Sequence, residues 1–272
     1  MSLPLDERLA RVRCFLLDMD GTLYLGERLL AGAARLLECL RARGQDFIFL
    51  TNNSSKNARL YSEKLTRLGL PTEVSRVLTS GAATAAHLQS AWPGARVFVV
   101  GTPALEEEFT ARGFVLDDQS PELMVLGFDT GFTYDKLWKL CDGVRAGRPY
   151  FATHPDFTCI TNTGLMPDIG ATIAFVRAAT GRDPDLIAGK PNRLIAEQAA
   201  RRAGVALADM CMIGDQLDTD IALGAAAGIP ALLVLSGEAS AEAVARAPHA
   251  PDMIFPDIGA VADYLASLPA PA

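Results

Sequence analysis

The chain has 272 residues, half of them apolar, and its 25 basic and 32 acidic side chains give a formal net charge of −7. The absence of a basic stripe argues against a nucleic-acid polymer as partner, and every apolar run is too short to span a membrane. Acidic residues near the N-terminus do not fit a secretory signal, and the five cysteines form no Cys-x-x-Cys pair. We therefore expect a cytoplasmic protein of one large or two modest domains.

The first predicted element is a buried strand that ends in two carboxylates. Residues 12–17 are apolar except for one arginine, a pattern typical of a strand buried on both faces of a parallel sheet. Side chains alternate along a strand, so Asp18 and Asp20 leave it on the same side, and Gly21 allows a sharp turn. A solvated Asp-Gly turn is the simpler interpretation. The buried strand before these acids and Thr22 after them favour a ligand site, because open α/β sheets bind ligands at the carboxyl ends of their strands.

The stretch Asp18-Met19-Asp20-Gly21-Thr22 resembles the first motif of the haloacid dehalogenase-like (HAD) phosphohydrolases. A carboxylate at this position can attack phosphorus as a nucleophile, and a second carboxylate can hold or donate a proton. The resemblance implies that Asp18 is the nucleophile and Asp20 the general acid and base. Because removal of a halide needs no such acid, Asp20 favours phosphate-ester hydrolysis over dehalogenation.

The next predicted strand ends in a cluster of small polar residues. A helical pattern over residues 29–43 and a strand pattern over residues 46–50 make a right-handed βαβ unit, so both strand ends face the same way. We therefore expect Thr51 and Asn52 to lie beside Asp18. The cluster could simply cap the following helix, but five consecutive hydrogen-bonding residues favour a phosphate-binding role. In the family that resemblance indicates, Thr51 takes the place of the second motif.

The middle of the chain has a second α/β pattern of its own. Strand patterns cover residues 96–101, 123–127 and 149–153, and helical patterns cover residues 103–112, 133–146 and 171–179. The loop over residues 154–170 resembles a segment in the cap of the NagD-type and 4-nitrophenylphosphatase-like subclass, whose α/β cap (type C2a) is inserted between the second and third motifs. The resemblance makes His154 a candidate substrate contact, although a polar loop histidine is more often merely exposed. Asp168 stands where many relatives have glycine.

The third motif is carried by a lysine that precedes a helix. Gly189-Lys190 is not a nucleotide P-loop, because that loop needs a glycine five residues earlier and Ser or Thr directly after the lysine, whereas Pro191 follows here. Proline favours the first turn of a helix, so Lys190 precedes the helix predicted over residues 191–203. Lys190 matches the third HAD motif and is expected to pair with phosphate.

The fourth motif follows the last strongly buried strand of the core. Residues 210–213 are apolar and lead into Gly214-Asp215, and five residues later comes Asp220. The dipole of the following helix explains Asp220 adequately, whereas Asp215 directly follows the strand and would join Asp18 at the same sheet edge. The spacing matches the fourth HAD motif.

The converging residues suggest a bound cation, because a phosphate dianion approaches a carboxylate nucleophile only when its charge is offset. Mg²⁺ fits, since it is hard and prefers oxygen ligands. We assign as ligands the carboxylates of Asp18 and Asp215 and the backbone carbonyl of Asp20, with Asp220 behind them or reaching the ion through water. Lys190 and Thr51 would contact the phosphoryl oxygens.

These observations predict an α/β protein with a Rossmann-like, doubly wound parallel-sheet core (residues 1–80 and 184–272) and an inserted α/β cap (residues 81–183). The predicted activity is Mg²⁺-dependent hydrolysis of a small phosphate monoester, of the sugar phosphate, nucleotide or 4-nitrophenyl phosphate type, through an aspartyl-phosphate. Two alternatives stay open: a phosphotransferase or phosphomutase with the same intermediate, and a sensor of phosphorylated metabolites that does not turn them over. A homodimer is expected from the family alone.

Overall fold

The computed structural model describes residues 4–161 and 164–269. The strands, in chain order, are β1 (Cys14–Leu17), β2 (Tyr24–Leu25), β3 (Arg28–Leu29), β4 (Asp46–Thr51), β5 (Val77–Thr79), β6 (Arg96–Val100), β7 (Val115–Leu116), β8 (Leu123–Leu126), β9 (Tyr150–Ala152), β10 (Thr158–Thr161), β11 (Gly164–Pro167), β12 (Leu186–Ile187), β13 (Met210–Gly214), β14 (Ala231–Val234) and β15 (Met253–Phe255). The α-helices are α1 (Leu5–Ala10), α2 (Ala33–Ala42), α3 (Ala58–Arg67), α4 (Ser80–Ala91), α5 (Pro103–Thr110), α6 (Tyr134–Arg145), α7 (Ile169–Thr180), α8 (Arg193–Ala203), α9 (Ala222–Ala227), α10 (Ala241–Val244) and α11 (Ile258–Ser267).

The chain divides into two compact units. The first unit contains the chain up to Leu50, residues Ser62–Leu78 and the chain from Lys190 onward. The second unit contains Thr51–Tyr61 and Thr79–Gly189. Within the described residues, no helix is long and apolar enough to cross a membrane.

The first unit is built on a six-stranded sheet with the strand order β15-β14-β13-β1-β4-β5. Strand β1 pairs in parallel with β13 and β4, and Leu17 lies opposite both Ile213 and Phe49. All four residues of β1 are buried, which explains the unbroken apolar run, because both faces of a parallel sheet are covered. The chain leaves β1 toward β4 on one side and continues from β13 to β14 on the other. Such a reversal of strand order creates a crevice at the carboxyl ends of β1 and β13, where sheets of this kind bind ligands.

The second unit is built on a five-stranded parallel sheet with the strand order β12-β9-β8-β6-β7. Alternate residues of β6 enter different hydrophobic clusters: Phe98 packs with residues of α6 and α7, and Val97 packs with residues of α4 and α5. Both faces of this sheet are therefore covered by helices, as expected when side chains alternate along a strand. The two sheets and their helices give the α/β architecture predicted from the sequence.

Two short hairpins were not predicted. Strands β2 and β3 pair across Gly26, which has a positive φ of 59°, a conformation that glycine adopts at little cost. Strands β10 and β11 pair within the segment that the sequence predicts to be a loop. The helix after this hairpin begins at Ile169, two residues earlier than predicted, because the Asp168 carboxylate accepts a hydrogen bond from the Ile169 N–H (2.6 Å) and caps it.

Candidate active site

The first candidate residue continues the central strand of the first unit. The Asp18 N–H donates to the Ile213 carbonyl (2.9 Å) and so extends the parallel pairing by one residue beyond β1. The Asp18 side chain is largely buried, and its Oδ1 accepts a hydrogen bond from Lys190 Nζ (2.5 Å). The nucleophile predicted from the sequence thus sits on a rigid strand end and touches the predicted lysine.

Lys190 connects two carboxylates. Its Nζ lies 2.5 Å from Asp18 Oδ1 and 2.6 Å from Asp220 Oδ1, and its side chain is buried. Asp220 Oδ2 accepts the Gln216 N–H (3.1 Å), so both carboxylate oxygens of Asp220 have protein partners. Asp220 therefore holds the lysine in place, and its predicted position behind the ligands of a cation stays a prediction.

Asp215 directly follows β13, and its carboxylate is surrounded by two hydrogen-bond donors and two glycines. Its Oδ1 accepts the Thr22 hydroxyl (3.1 Å), and its Oδ2 accepts the Glu238 N–H (2.8 Å). A Cβ atom at Gly21 or at Gly237 would overlap the Asp215 carboxylate, so both glycines permit a close approach of the backbone. The Thr22 hydroxyl thus reaches from the turn after β1 to Asp215, a contact that the sequence did not predict.

The electrostatics of this cluster are dominated by buried negative charge. Burial, together with the neighbouring carboxylates of Asp220 and Asp215, holds the pKa of Asp18 well above its usual range, although Lys190 opposes the shift. Burial and the Asp220 carboxylate raise the pKa of Asp215 to about 6, against the lowering effects of the Glu238 N–H and Lys190. For Lys190, burial lowers the pKa, but the carboxylates of Asp18 and Asp220 outweigh it and the pKa lies above its ordinary value. Three buried acids thus lie in the field of the Lys190 ammonium group, which contacts two of them directly.

The same cluster has the composition of a cation site. Carboxylate oxygens of Asp18, Asp215 and Asp220 all lie within 4.8 Å of one another. Oxygen donors of this kind suit hard divalent cations such as Mg²⁺. The sequence predicts that Asp18 and Asp215 hold such an ion directly and that Asp220 lies behind them, and this division of roles stays a prediction.

Asp20 differs from the other acids because it is exposed. Its Oδ2 accepts a hydrogen bond from the Tyr24 hydroxyl (3.0 Å), and Tyr24 itself is fully buried. Lys64 Nζ lies 3.8 Å from the centroid of the Tyr24 ring. Sequence reasoning missed both Tyr24 and Lys64, and the signal available for Tyr24 was the glycine turn of the β2–β3 hairpin that holds it.

The two predicted phosphate-binding residues after β4 belong to the second unit. The Thr51 hydroxyl accepts the Asn53 N–H (3.1 Å), and the Asn52 amide donates to the Asp156 carboxylate (3.1 Å to Oδ1). Both Thr51 and Asn52 are largely buried. Their proposed contacts with phosphate stay predictions.

His154 is fully buried in the second unit. Its Nε2 lies 3.0 Å from Asp168 Oδ1, and its Nδ1 lies 3.0 Å from the Thr153 hydroxyl. Both ring nitrogens therefore have partners within this unit, and Asp168 both caps α7 and accepts the imidazole. The sequence predicted His154 as a substrate contact, and that role stays a prediction.

The structure thus brings together, within the first unit, four predicted site residues from distant parts of the chain. They are Asp18, Lys190, Asp215 and Asp220. Such an arrangement can hold a hard cation, present a carboxylate nucleophile and compensate the charge of a phosphoryl group.

Comparisons with known proteins give a consistent result. A sequence model described as haloacid dehalogenase-like hydrolase matches residues 15–115, and a HAD-hydrolase-like model matches residues 187–261. An acid sugar phosphatase of Staphylococcus aureus is 33% identical over 247 residues, which are 90% of this chain and 95% of that protein.

Solved structures resemble this chain over more than nine-tenths of its length. A 4-nitrophenylphosphatase from Thermotoga maritima superposes with a TM-score of 0.92 at 44% identity, covering 94% of this chain and 98% of that chain. A glycerol phosphate phosphatase from Mycobacterium tuberculosis, determined in complex with magnesium, gives a TM-score of 0.85 at 36% identity and covers 92% of this chain and 77% of that chain. The same phosphatase was also determined with calcium.

Proposed function

The chain belongs to the haloacid dehalogenase-like hydrolases, and from that premise we propose that it is a Mg²⁺-dependent phosphatase acting on small phosphate monoesters through an aspartyl-phosphate on Asp18. One observation carries the proposal: the buried Asp18 carboxylate, at the end of β1, touches Lys190 and lies in one cluster with Asp215. The phosphatase names of the relatives support the same activity. Sugar phosphates, glycerol phosphate and 4-nitrophenyl phosphate define the range of substrates to test.

Mg²⁺ fits the donor set of the first unit. Asp18 and Asp215 would hold it through their carboxylates, and Asp20 through its backbone carbonyl. The raised pKa values of Asp18 and Asp215 are the expected mark of a site that has more negative charge than its own lysine offsets. When bound, the ion supplies positive charge that reduces the repulsion between the substrate phosphate and the nucleophile.

In the first step, a carboxylate oxygen of Asp18 forms a bond to phosphorus while the bond between phosphorus and the ester oxygen breaks. Asp20 transfers its proton to that oxygen, and the alcohol leaves. Lys190 compensates charge on the phosphoryl oxygens, and the Thr51 hydroxyl and Asn52 would complete the phosphate contacts. Positioning and charge compensation are the main requirements of phosphoryl transfer.

In the second step, water attacks the phosphorus of the aspartyl-phosphate. Asp20, now a carboxylate, takes a proton from the water as the new bond forms. The bond between phosphorus and the Asp18 oxygen breaks, which releases inorganic phosphate and restores the Asp18 carboxylate. Asp20 regains its proton, so the enzyme returns to its starting state.

We assign the catalytic role to the core predicted at residues 1–80 and 184–272 and the role of a cap to residues 81–183. The homodimer and the cytoplasmic location expected from the sequence stay predictions. Transfer of phosphate to an acceptor other than water would share the first step, and a sensor would bind substrate without it.

The test is release of inorganic phosphate from sugar phosphates, glycerol phosphate, nucleoside monophosphates and 4-nitrophenyl phosphate, with Mg²⁺ and with EDTA. Asp18→Asn should lower turnover by about 10³-fold or more, because the nucleophile is lost, while its circular dichroism spectrum stays that of the wild type. Asp118→Asn is the matched control, since Asp118 is an exposed partner of Lys139 and should keep full activity.

Each outcome of this test decides between the candidate functions. Metal-dependent release that Asp18→Asn abolishes supports the phosphatase. Binding of esters without release would replace it by the sensor, and appearance of a new phosphate ester with an added alcohol would indicate a phosphotransferase. Substantial turnover by Asp18→Asn would remove the nucleophile assignment.

A further inference from the structure

We propose that Tyr24 is a positioning residue that fixes the Asp20 carboxylate for its two proton transfers, and that Lys64 holds the Tyr24 ring in place. The inference rests on the proposed function, because it assigns a residue to the proton chemistry of Asp20. It rests equally on a contact that the four family motifs do not contain.

The contact is built by the turn that follows the nucleophile. The Tyr24 hydroxyl donates to Asp20 Oδ2 (3.0 Å). The Gly21 N–H donates to the Tyr24 carbonyl (2.8 Å), and Tyr24 pairs with Leu29 across the β2–β3 hairpin. The backbone of Tyr24 is therefore fixed relative to that of Asp20, and its fully buried ring has little freedom to move the hydroxyl away.

A helix of the same unit holds the hairpin from the other side. Lys64 on α3 is largely buried, and its Nζ lies 3.8 Å from the centroid of the Tyr24 ring. This distance is well within the range of a cation–π interaction, which strengthens when the cation is desolvated. One turn later on α3, Arg67 forms an ion pair with Glu27 of the hairpin turn (2.8 Å). The Lys64 contact with the ring and the Arg67 ion pair with the hairpin turn therefore both restrain Tyr24 in the position where its hydroxyl reaches Asp20.

The chemical consequence follows from the two oxygens of a carboxyl group. A proton on Asp20 can sit on either oxygen, but only the oxygen that faces the ester can deliver it. A hydroxyl that donates to Oδ2 favours the proton on Oδ1 and also fixes the rotation of the group. In the first step the proton therefore passes from Oδ1 to the leaving oxygen, and in the second step Oδ1 receives a proton from water. Without the hydroxyl, part of the population has the proton misplaced or the group rotated.

This role makes a specific prediction about leaving groups. An alkoxide needs a proton to leave, whereas nitrophenolate hardly needs one, so loss of correct protonation harms the alkyl ester more. Tyr24→Phe removes only the hydroxyl. We expect kcat/KM to fall about tenfold for an alkyl ester that the wild type hydrolyses, such as a sugar or glycerol phosphate, a fraction of the total effect of general acid catalysis. For 4-nitrophenyl phosphate kcat/KM should change by less than about twofold.

The parameter kcat/KM is the right one, because it reports the steps up to the first irreversible one, which includes phosphoryl transfer to Asp18. Tyr150→Phe is the matched control. Tyr150 is fully buried in the second unit, and within the described residues its hydroxyl has no hydrogen-bond partner. Its loss should leave both esters unaffected. Lys64→Met, which keeps the aliphatic stem, should act in the same direction as Tyr24→Phe but by only about threefold.

The outcomes separate this inference from the proposed function. A wild-type protein that releases no phosphate overturns the function itself. If the wild type is active and Tyr24→Phe lowers kcat/KM equally for both esters, the tyrosine is merely structural and the inference is wrong. Unchanged kcat/KM for both esters overturns it as well. If Lys64→Met does not fold, Tyr24→Phe alone decides the result.

Discussion

Each of the two units contains a buried polar cluster with acidic side chains close together. In the first unit, Asp18, Asp215 and Asp220 are all buried and lie close together, and Lys190 forms ion pairs with Asp18 and Asp220. In the second unit, ligand atoms of His154, Asp156 and Asp168 also lie within 4.8 Å of one another. There, only one carboxylate is buried, and it faces an imidazole, while Asp156 is partly exposed to water.

The difference between the clusters separates a functional from a structural role. Buried carboxylates that outnumber their cations keep raised pKa values and destabilise the fold until a cation arrives. A buried carboxylate that faces one imidazole and one helix N–H has its partners already. The first cluster therefore suits a metal-dependent reaction, and the second suits the fixing of a loop to a helix.

Removal of the shared ammonium group is the strongest way to test the first cluster. Lys190→Met should lower phosphate release by about 10²–10³-fold. The variant loses both the ammonium group that compensates the charge on the phosphoryl oxygens and the hydrogen bond that positions Asp18. Its melting temperature should also fall, since two buried carboxylates are left without their cation.

Lys136→Met is the control for this variant. Lys136 forms an ion pair with the buried carboxylate of Asp129 in the second unit (2.5 Å), so its loss costs stability but should leave turnover unchanged. More than a tenth of wild-type activity in Lys190→Met would contradict the role given to the lysine.

The first cluster should also make the stability of the protein depend on pH. Burial raises the pKa of Asp215 to about 6, well above that of an aspartate in an unfolded chain, about 3.9, so between these values the folded protein holds a proton that the unfolded chain releases. Without metal, stability should therefore fall as pH rises from about 4 to 6. Added Mg²⁺ should raise the melting temperature by about 5 °C or more near neutral pH and by much less at about pH 5, because protons compete for the site.

Asp215→Asn is the variant that tests this assignment. A neutral amide removes the repulsion, so the metal-free variant should melt higher than the wild type, and its response to Mg²⁺ should largely disappear. Differential scanning fluorimetry across pH measures both effects. An unchanged response to Mg²⁺ would place the ion elsewhere.

The second cluster predicts a smaller effect of a different kind. Asp168→Gly leaves the His154 Nε2 without its acceptor and removes the cap of α7, so the free energy of unfolding should fall by about 2–4 kcal/mol. Asp168→Asn keeps a capping oxygen and should lose less. Thermal melts of both variants, with and without Mg²⁺, should show the same stabilisation by metal as the wild type. A reduced response to metal would show that the second cluster also binds the ion.

The smallest effect is expected at Tyr150. Within the described part of the chain its buried hydroxyl has no partner, and leaving such a group unpaired costs free energy. Tyr150→Phe should therefore raise the melting temperature slightly, by about 2–4 °C for each kcal/mol gained. A lower melting temperature would show that the hydroxyl is satisfied in solution.

The sequence was sufficient for the features that depend on neighbouring residues. The buried run of β1 and the acids that end it are local patterns. The helix predicted over residues 191–203 begins at Arg193, because the Asn192 side chain accepts the Leu194 N–H and caps α8. Parallel pairing then places β1 beside β13, so the meeting of Asp18 with Asp215 follows from strand order.

Other features depend on side chains that meet only after folding. The Tyr24 hydroxyl reaches Asp20, and the Thr22 hydroxyl reaches Asp215, but neither direction can be read from spacing. The β10–β11 hairpin was missed because its polar residues resemble a loop, and residues 162–163 lie outside the described part of the chain. The cap at Asp168 was missed too, although an aspartate just before an apolar stretch is a signal for a helix start.

The pairing of β1 with β13 also has a consequence for synthesis on the ribosome. Cys14 pairs with Met210, so the strand that bears the nucleophile emerges long before its neighbour on that side exists. At typical elongation rates of about 5–20 residues per second, this strand waits for on the order of 10–40 s. The second unit, made of Thr51–Tyr61 and the long segment Thr79–Gly189, is complete within that interval and can fold first. A premature stop before β13 would leave one edge of the fully apolar strand β1 without its partner, with β4 still present on the other edge, so truncated products should depend on chaperones far more than the finished chain.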